Sequence, residues 1–296
     1  MNSYDMTFLG HMCYDEITPY QGETKVAPGS AVLCGAMVAA RIGKKVALVT
    51  RMSPSDEAIL HPMQDLGIAT FVIPAPETTF AVVIHPTANV DDRRLMIRKS
   101  AGRFTVEATP PLQTRYLHLA GISDQEFGLE LINGLKDRGY NLSLDMQSFV
   151  RQVDPATREI FFKDVPRKEA IVRAMSKVKL DIVEAKVLTG TDDLEKAALK
   201  IEAWGCPEIV ITHAEGVLAR VEGRTYYEKF SNRSVVGRTG RGDTTFAAYL
   251  SWRMDHGVAE SLKFAAALVS IKMETPGPFQ GTLQDVIERM ILEHSL

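Results

Sequence analysis

Short apolar runs alternate with helical segments along most of the chain. The runs end at polar or glycine positions, which is typical of the strands of an α/β sheet. They cover residues 6–9, 46–50, 116–120, 142–145 and 209–212. Helical patterns lie between or after them, at residues 31–42, 126–136, 168–177 and 246–254. Strands that alternate with helices predict an α/β fold with a mainly parallel central sheet flanked by helices, which binds ligands at the carboxyl ends of its strands.

One region departs from this alternation. Residues 79–85 and 94–98 have the pattern of two antiparallel strands, and the polar loop 86–92 joins them without a helix. We therefore expect one domain, residues 1–296, with a small β-sheet lid formed by approximately residues 16–26 and 79–98. Because a two-stranded lid leaves an edge unpaired, a homodimer through the lid is also expected.

Charge and composition exclude several classes of protein. The chain carries 34 Lys and Arg against 37 Asp and Glu, a formal charge of −3. Proteins that coat nucleic acids or membrane surfaces usually have a basic excess, so we expect neither partner. No apolar run reaches the roughly 18 residues of a membrane span, and no signal-peptide pattern is present. The three cysteines are far apart and lack metal-ligand spacing, so we expect reduced thiols and a cytoplasmic location.

The segment GRTGRGDT, from Gly237 to Thr244, precedes the helical pattern at 246–254. A glycine-rich turn that opens a helix presents backbone N–H groups and the positive end of the helix dipole, so it predicts an anion site. The spacing matches a Walker phosphate loop, but Asp243 replaces the required lysine, so this is not a Walker loop. Two roles for Asp243 stay open on these residues alone. It is either a base that takes a proton from an attacking hydroxyl or an acid that complements the helix dipole.

The segment resembles the C-terminal signature of the ribokinase-like (PfkB) family of carbohydrate kinases, commonly D-T-x-G-A-G-D. Gly240, Gly242 and Asp243 match that signature. Residues 28–43, which run from Pro-Gly-Ser to Arg-Ile-Gly, are similar to the family's first signature. Residues 181–190 resemble its N-x-x-E motif, and the similarity covers nearly the whole chain.

This resemblance implies a ribokinase-like fold and an ATP-dependent phosphotransferase that acts on a hydroxyl of a small sugar, polyol or nucleoside, with Mg²⁺. Asp243 would be the general base, and Gly240, Arg241 and Gly242 would form the anion hole. The expected substrate-binding residues are Asp15, Gly29, Ser30 and Cys34; the nucleotide-binding residues are Thr212, Gly216, Arg238 and Thr239; and Asp181 and Glu184 would handle the metal through water.

Several positions depart from the family pattern. Ser30 and Cys34 replace a glycine and a common substrate-contacting asparagine, and Asp181 replaces the Asn of N-x-x-E. Gly237-Arg238 replaces an Asp-Thr pair that helps to build a monovalent-cation site in many members. We predict that Arg238 takes over the electrostatic role of that cation, since a guanidinium is permanently charged.

Two alternative functions stay open. The first is a kinase of a sugar phosphate, which would use cations in the lid region at positions 93, 94, 98, 99 and 103. The second is a catalytically inactive sugar- or nucleotide-binding protein on the same fold. The intact Gly240-x-Gly242-Asp243 disfavours it, because a binding module needs no base.

Overall fold

A computed structural model describes residues 3–89 and 92–294, and within these ranges the strands form a nine-stranded sheet, a four-stranded sheet and a hairpin. In chain order the strands are β1 (Ser3–Leu9), β2 (Cys13–Thr18), β3 (Lys25–Gly29), β4 (Val46–Met52), β5 (Ala69–Pro74), β6 (Thr79–Ile84), β7 (Arg94–Lys99), β8 (Gln113–Leu119), β9 (Leu142–Asp145), β10 (Arg151–Val153), β11 (Ile160–Phe162), β12 (Lys177–Asp181), β13 (Glu208–Thr212), β14 (Gly216–Val221) and β15 (Arg224–Lys229).

The nine-stranded sheet has the order β15-β14-β13-β12-β9-β8-β1-β4-β5. Its strands run parallel from β13 to β5, and β14 and β15 add an antiparallel edge. The predicted α/β fold with a mainly parallel central sheet is therefore confirmed. The parallel strands all end at one edge, and that edge is where side chains from distant parts of the chain meet.

Helices cover both faces of the sheet and bury two apolar layers. One layer includes Phe8, Phe246 and Phe264, and the other includes Leu144 and Ile211. In chain order the helices are α1 (Ala31–Arg41), a 3₁₀ helix (Pro54–Leu60), α2 (His61–Gln64), α3 (Leu129–Asp137), α4 (Gln147–Val150), α5 (Lys168–Arg173), α6 (Ile182–Thr189), α7 (Leu194–Ala203), α8 (Arg241–Arg253), α9 (Val258–Met273) and α10 (Leu283–His294). Within the two ranges that the structure describes, no helix is both long and apolar enough to cross a membrane.

Four strands form the lid, and the expected segments at residues 16–26 and 79–98 overlap all four of them. The antiparallel pair β6–β7 is present, but β2 and β3 extend it to a four-stranded sheet in the order β3-β2-β6-β7. It begins at Cys13 and includes Gly29, because β2 follows β1 after only a short connection. The lid also contacts the β10–β11 hairpin. Ile97 N donates to Arg158 O at 2.9 Å, and Arg158 Nε donates to Ile97 O at 3.1 Å.

Three sequence predictions of helix bounds were wrong. The helix predicted at 126–136 begins at Leu129. The helix predicted at 168–177 ends at Arg173, and Lys177–Asp181 is the central strand β12. Lys177 and Lys179 interrupt the apolar pattern of that strand. Both are nevertheless buried, because Glu208 and Asp145 neutralise them at 3.2 and 2.9 Å. The helix predicted at 246–254 begins at Arg241, so the glycine segment itself forms the first turn.

Candidate active site

A cavity of about 720 Å³ lies between the lid and the N-terminus of α8. Its walls include Asp15 and Ala81 from the lid sheet and Gly240 and Asp243 from the glycine segment. A second cavity of about 250 Å³ has Arg93, Asp181, Arg238 and Arg241 among its lining residues. The larger cavity shares these four residues, so the two spaces adjoin.

Asp243 is the third residue of α8, whose N-cap is Gly240. The first amides of a helix lack an acceptor within the helix. Here the Arg241 amide already donates to Arg238 O at 3.1 Å, so the amides of Gly242 and Asp243 are the donors of the first turn that can face an anion. Gln147 Nε2 donates to Asp243 Oδ1 at 3.3 Å and to Gly121 O at 2.9 Å, which holds the carboxylate in place.

Two glycines of this turn make close approaches that a Cβ would disturb. Gly240 has a φ of 79°, a left-handed conformation that costs other residues energy. A Cβ there would lie 2.6 Å from Cys34 Sγ. A Cβ on Gly242 would lie 2.6 Å from Lys179 Nζ. The glycines therefore let the backbone lie close to Cys34, in the wall of the large cavity, and to the buried ammonium of Lys179.

That cation belongs to an ion pair that sequence reasoning missed. Lys179 Nζ lies 2.9 Å from Asp145 Oδ2, and both side chains are buried. Burial alone would lower the pKa of Lys179, but the carboxylates of Asp145, Glu184 and Asp243 raise it, so the ammonium stays charged. Lys179 thus places a positive charge directly beneath the first turn of α8.

The expected substrate-binding residues line the same cavity as Asp243. Cys13 Sγ donates to Asp15 Oδ1 at 3.1 Å, and a Cβ on Gly29 would overlap the Asp15 carboxylate. Burial raises the pKa of Asp15, and the charge of Asp243 raises it further. Burial and Asp243 also raise the pKa of Cys34 to about 12, so its thiol stays neutral.

Ser30 is placed differently from the other members of this group. It lines the large cavity, but its hydroxyl caps α1 by accepting from Leu33 N at 3.0 Å. Its φ of 141° also sets the entry of the chain into that helix. The structure therefore gives the Ser30 side chain a task in α1 as well as a place in the cavity wall.

The four expected nucleotide-binding residues are only partly brought together. Thr212, Arg238 and Thr239 line the large cavity. Gly216 does not lie among its lining residues; it pairs with Lys229 within the β14–β15 hairpin. A Cβ on Gly216 would collide with Glu228 O and the Tyr227 ring, so close strand packing accounts for this glycine.

Asp181 and Glu184 form a capping box at the start of α6. Asp181 Oδ1 accepts from Glu184 N, and Glu184 Oε2 accepts from Asp181 N, each at 2.8 Å. Arg151 Nη2 lies 3.4 Å from Glu184 Oε1, and Glu184 is fully buried. Burial and the neighbouring Asp181 raise the pKa of Glu184. Of these two acids, Asp181 lines the cavities.

Three arginines line the smaller cavity: Arg93, Arg238 and Arg241. Burial and the charges of Arg93 and Arg238 lower the pKa of the nearby His85. Two other lid arginines are engaged at the surface. Arg94 pairs with Glu159, and Arg98 pairs with Glu16. This arrangement gives little support to a sugar-phosphate kinase that would use the lid cations as a group.

A family model described as "pfkB family carbohydrate kinase" matches residues 2–283. The chain belongs to the PfkB family of carbohydrate kinases. It is therefore a phosphotransferase of the class that phosphorylates small sugars, polyols and nucleosides, as the resemblance implied.

Individual relatives in this family act on different acceptors. The chain is 24% identical over 261 residues to a cytidine kinase of Thermococcus kodakarensis, covering 83% of this chain and 87% of that one. It is 29% identical to a pyrophosphate-dependent kinase in the ribokinase family, solved with a pyrophosphate analogue and myo-inositol. That likeness has a TM-score of 0.87 and covers 96% of this chain and 99% of that chain.

More distant kinases share the fold and hold nucleotides and ions. A fructokinase of Vibrio cholerae O395, with fructose, ADP and potassium ion bound, is 18% identical with a TM-score of 0.79; it covers 98% of this chain and 99% of its own. A ribokinase II chain of E. coli in complex with ATP and Mg²⁺ is 15% identical with a TM-score of 0.77, covering 99% of this chain and 100% of its own.

Proposed function

We propose that this kinase transfers a phosphoryl group from pyrophosphate to a hydroxyl of a small cyclic polyol such as myo-inositol, with Asp243 as the general base. The observation that carries the proposal is that Arg93, Arg238 and Arg241 all line a cavity of about 250 Å³ beside the first turn of α8. Guanidinium groups bind phosphate oxygens through paired hydrogen bonds, and such charge-assisted bonds are strong.

The donor argument concerns where positive charge is concentrated. Pyrophosphate has no base or sugar, so its binding depends on cations and backbone amides alone. Three arginines and the amides of Gly242 and Asp243 supply both. The likeness to a pyrophosphate-dependent kinase, at higher identity than the nucleotide-bound kinases, supports the same donor.

The acceptor argument concerns Asp15. Asp15 lines the same large cavity as Asp243, whose charge raises its pKa, and a carboxylate accepts hydrogen bonds on both oxygens. Two neighbouring hydroxyls of a polyol suit that geometry. A third hydroxyl then faces Asp243, where it can lose its proton.

The reaction follows from these positions. The acceptor hydroxyl gives its proton to the Asp243 carboxylate, and its oxygen forms the new bond to phosphorus. The bond from that phosphorus to the bridging oxygen breaks, and inorganic phosphate leaves. The amides of Gly242 and Asp243 and the three guanidinium groups stabilise the charge that develops. The lid covers the acceptor and limits transfer to water.

Mg²⁺ fits this site through one carboxylate. Within residues 3–89 and 92–294, no group of three or more His, Cys, Asp or Glu side chains could hold a metal. Mg²⁺ needs no such group, since it keeps several waters and takes substrate phosphate oxygens as ligands. Asp181 would hold it through water, and Glu184 would only fix Asp181. When bound, the ion neutralises charge on the donor oxygens.

ATP is the second candidate donor, and it was the donor expected from the sequence. The exposed apolar side chains of Val235 and Val236 lie at the wall of the large cavity, next to Gly237. Such side chains could contact a nucleotide base. ATP dependence would then leave the acceptor side and the role of Asp243 unchanged.

A panel of initial rates with pyrophosphate and ATP, each against polyols, sugars and nucleosides, tests the proposal. We expect turnover with pyrophosphate and a cyclic polyol.

Arg93→Ala should raise the KM for pyrophosphate about 10- to 100-fold, because it removes a charged hydrogen bond. Arg94→Ala is the matched control, because Arg94 is an adjacent lid arginine that pairs with Glu159 at the surface; its KM should stay within about twofold. Turnover with ATP alone would reject pyrophosphate, and equal effects of the two variants would reject the arginine site.

A cytoplasmic location and a homodimer through the lid remain part of this proposal. Buried free thiols at Cys13, Cys34 and Cys206 support the first. Exposed Val26, on the edge strand β3 of the lid, supports the second.

A further inference from the structure

Lys272, in the last turn of α9, is a buried lysine that the phosphoryl-transfer chemistry does not use. Its side chain is 1% exposed. Its Nζ donates to the carbonyl oxygens of Gly237 and Thr239, which lie on either side of Arg238. The ammonium therefore joins both ends of the turn that leads into Gly240 and α8.

The loop is packed closely on the end of α9, which allows the lysine to reach it. Gly237 N donates to Met273 O at 2.9 Å. A Cβ on Gly237 would collide with the carbonyl oxygens of Thr275 and Lys272, so only glycine permits this approach. The carbonyls of the turn face inward to the ammonium, and the Arg238 side chain lines the cavities instead.

The charge of Lys272 acts on the same groups that would hold the donor. A Cβ placed on Gly240 would lie 3.9 Å from Lys272 Nζ. Burial lowers the pKa of Lys272, while the Asp243 carboxylate acts in the opposite direction. Two carbonyl oxygens and a nearby carboxylate thus compensate for the loss of water around this ammonium.

We propose that the Lys272 ammonium serves as a built-in monovalent cation that positions the Gly237–Gly242 turn for the donor phosphate, so that this kinase needs no potassium ion there. An ammonium group and K⁺ carry the same charge, and both take carbonyl oxygens as partners. A cation that is part of the chain is already in place before the donor binds, so no ion has to be recruited. Lys272 is accordingly a positioning residue, and it replaces Arg238 in the role that the sequence suggested.

Two substitutions separate charge from packing. Lys272→Ala removes the charge and opens space between the two carbonyls, whereas Lys272→Met removes the charge and fills the space. Lys263→Ala is the matched control, because Lys263 lies on the same helix and is partly exposed. Each protein is studied in KCl and in tetramethylammonium chloride at equal ionic strength, by thermal unfolding and by calorimetric titration with pyrophosphate.

Wild type and Lys263→Ala should give the same affinity and unfolding midpoint in both salts. In tetramethylammonium, Lys272→Ala should bind pyrophosphate about tenfold more weakly, and K⁺ should restore most of that loss. K⁺ should also raise the unfolding midpoint of Lys272→Ala alone, because an ion that binds only the folded state stabilises it. Lys272→Met should bind weakly in both salts.

Three outcomes would overturn the inference. They are a tenfold loss of wild-type affinity on replacing K⁺, a folded Lys272→Ala protein that shows no response to K⁺, and wild-type affinity in Lys272→Met. If Lys272→Ala does not fold, the Lys272→Met affinity decides alone. The inference rests on the proposed phosphotransfer at this turn, but its unfolding readout needs no donor. A K⁺-dependent midpoint without pyrophosphate binding would reject the donor and retain the role of Lys272.

Discussion

Gly240 combines a left-handed backbone with a close contact to Cys34, and each feature has its own cost. A residue with a Cβ at φ of 79° loses roughly 1–2 kcal/mol. Gly43, which follows the end of α1 with a φ of 87°, has the same backbone requirement, but a Cβ there would meet nothing within 4 Å. Substitution of Gly43 therefore measures backbone strain alone, whereas substitution of Gly240 adds a change in the turn of the site.

We predict that Gly43→Ala lowers the free energy of unfolding by about 1–2 kcal/mol, and that Gly240→Ala lowers it by more, because its Cβ would also meet Cys34 Sγ. Gly240→Ala should also lower kcat about tenfold or more, because the displaced turn misplaces the amides of Gly242 and Asp243. Gly43→Ala should retain wild-type kcat. Urea unfolding together with steady-state kinetics checks both variants. A fully active Gly240→Ala protein would show that the turn is not part of the site.

The sequence predicts the role of a site residue when the residues that share that role are neighbours in the chain. Gly240, Gly242 and Asp243 are close in the chain and together open a helix, so their pattern is visible in the printed sequence. Gln147 and Lys272 reach the same turn from positions 96 and 33 residues away in the chain. Only tertiary packing brings them there, and a single Gln or Lys in an apolar segment carries no such signal.

Helix α6 begins with a carboxylate that is buried rather than solvated. Burial and Asp181 raise the pKa of Glu184 above its ordinary 4.5. An acid with a raised pKa binds its proton more tightly in the folded chain than in the unfolded chain. Its contribution therefore favours folding at low pH, and stability declines as the pH rises above 4.5 toward the folded-state pKa.

Glu184→Gln should make the unfolding midpoint less dependent on pH from 4.5 into the neutral range. Glutamine cannot ionise but still offers an oxygen to the Asp181 amide, as capping boxes allow. Glu169→Gln, at the exposed first turn of α5, is the control and should keep the wild-type slope. Thermal unfolding across this pH range is the measurement. Equal slopes for all three proteins would contradict the prediction.

A buried strand can be predicted from the sequence when its buried positions are occupied by apolar residues. Strand β9 has the predicted bounds, since Leu142 and Leu144 are apolar and buried. Strand β12 was missed because its buried lysines look like surface residues until their partners on β9 and β13 are known. Ion pairs between strands form only in the folded structure, so the sequence of one strand does not reveal them.

In the whole molecule, the groups of the site come from the lid and the body together. Asp15 and Ala81 lie on lid strands, Arg93 precedes the lid strand β7, and Asp181 and Asp243 lie at helix starts in the body. The sequence predicted lid segments at residues 16–26 and 79–98 but not the pairing of β2 with β6, because 60 residues of intervening chain separate these strands and give no local sign of it. The lid contacts the β10–β11 hairpin, and the proposed acceptor, base and donor groups line one cavity.

The turnover of Asp243→Asn with pyrophosphate and myo-inositol tests the central claim most directly. Asparagine keeps the size of the side chain and an oxygen for Gln147 Nε2, but it cannot take the proton of the acceptor hydroxyl. The account predicts that kcat falls about 10²- to 10⁴-fold while the affinity for pyrophosphate is unchanged, and that the surface control Asp137→Asn remains fully active. An Asp243→Asn protein that turns over within about threefold of wild type would contradict the assignment of Asp243 as the base.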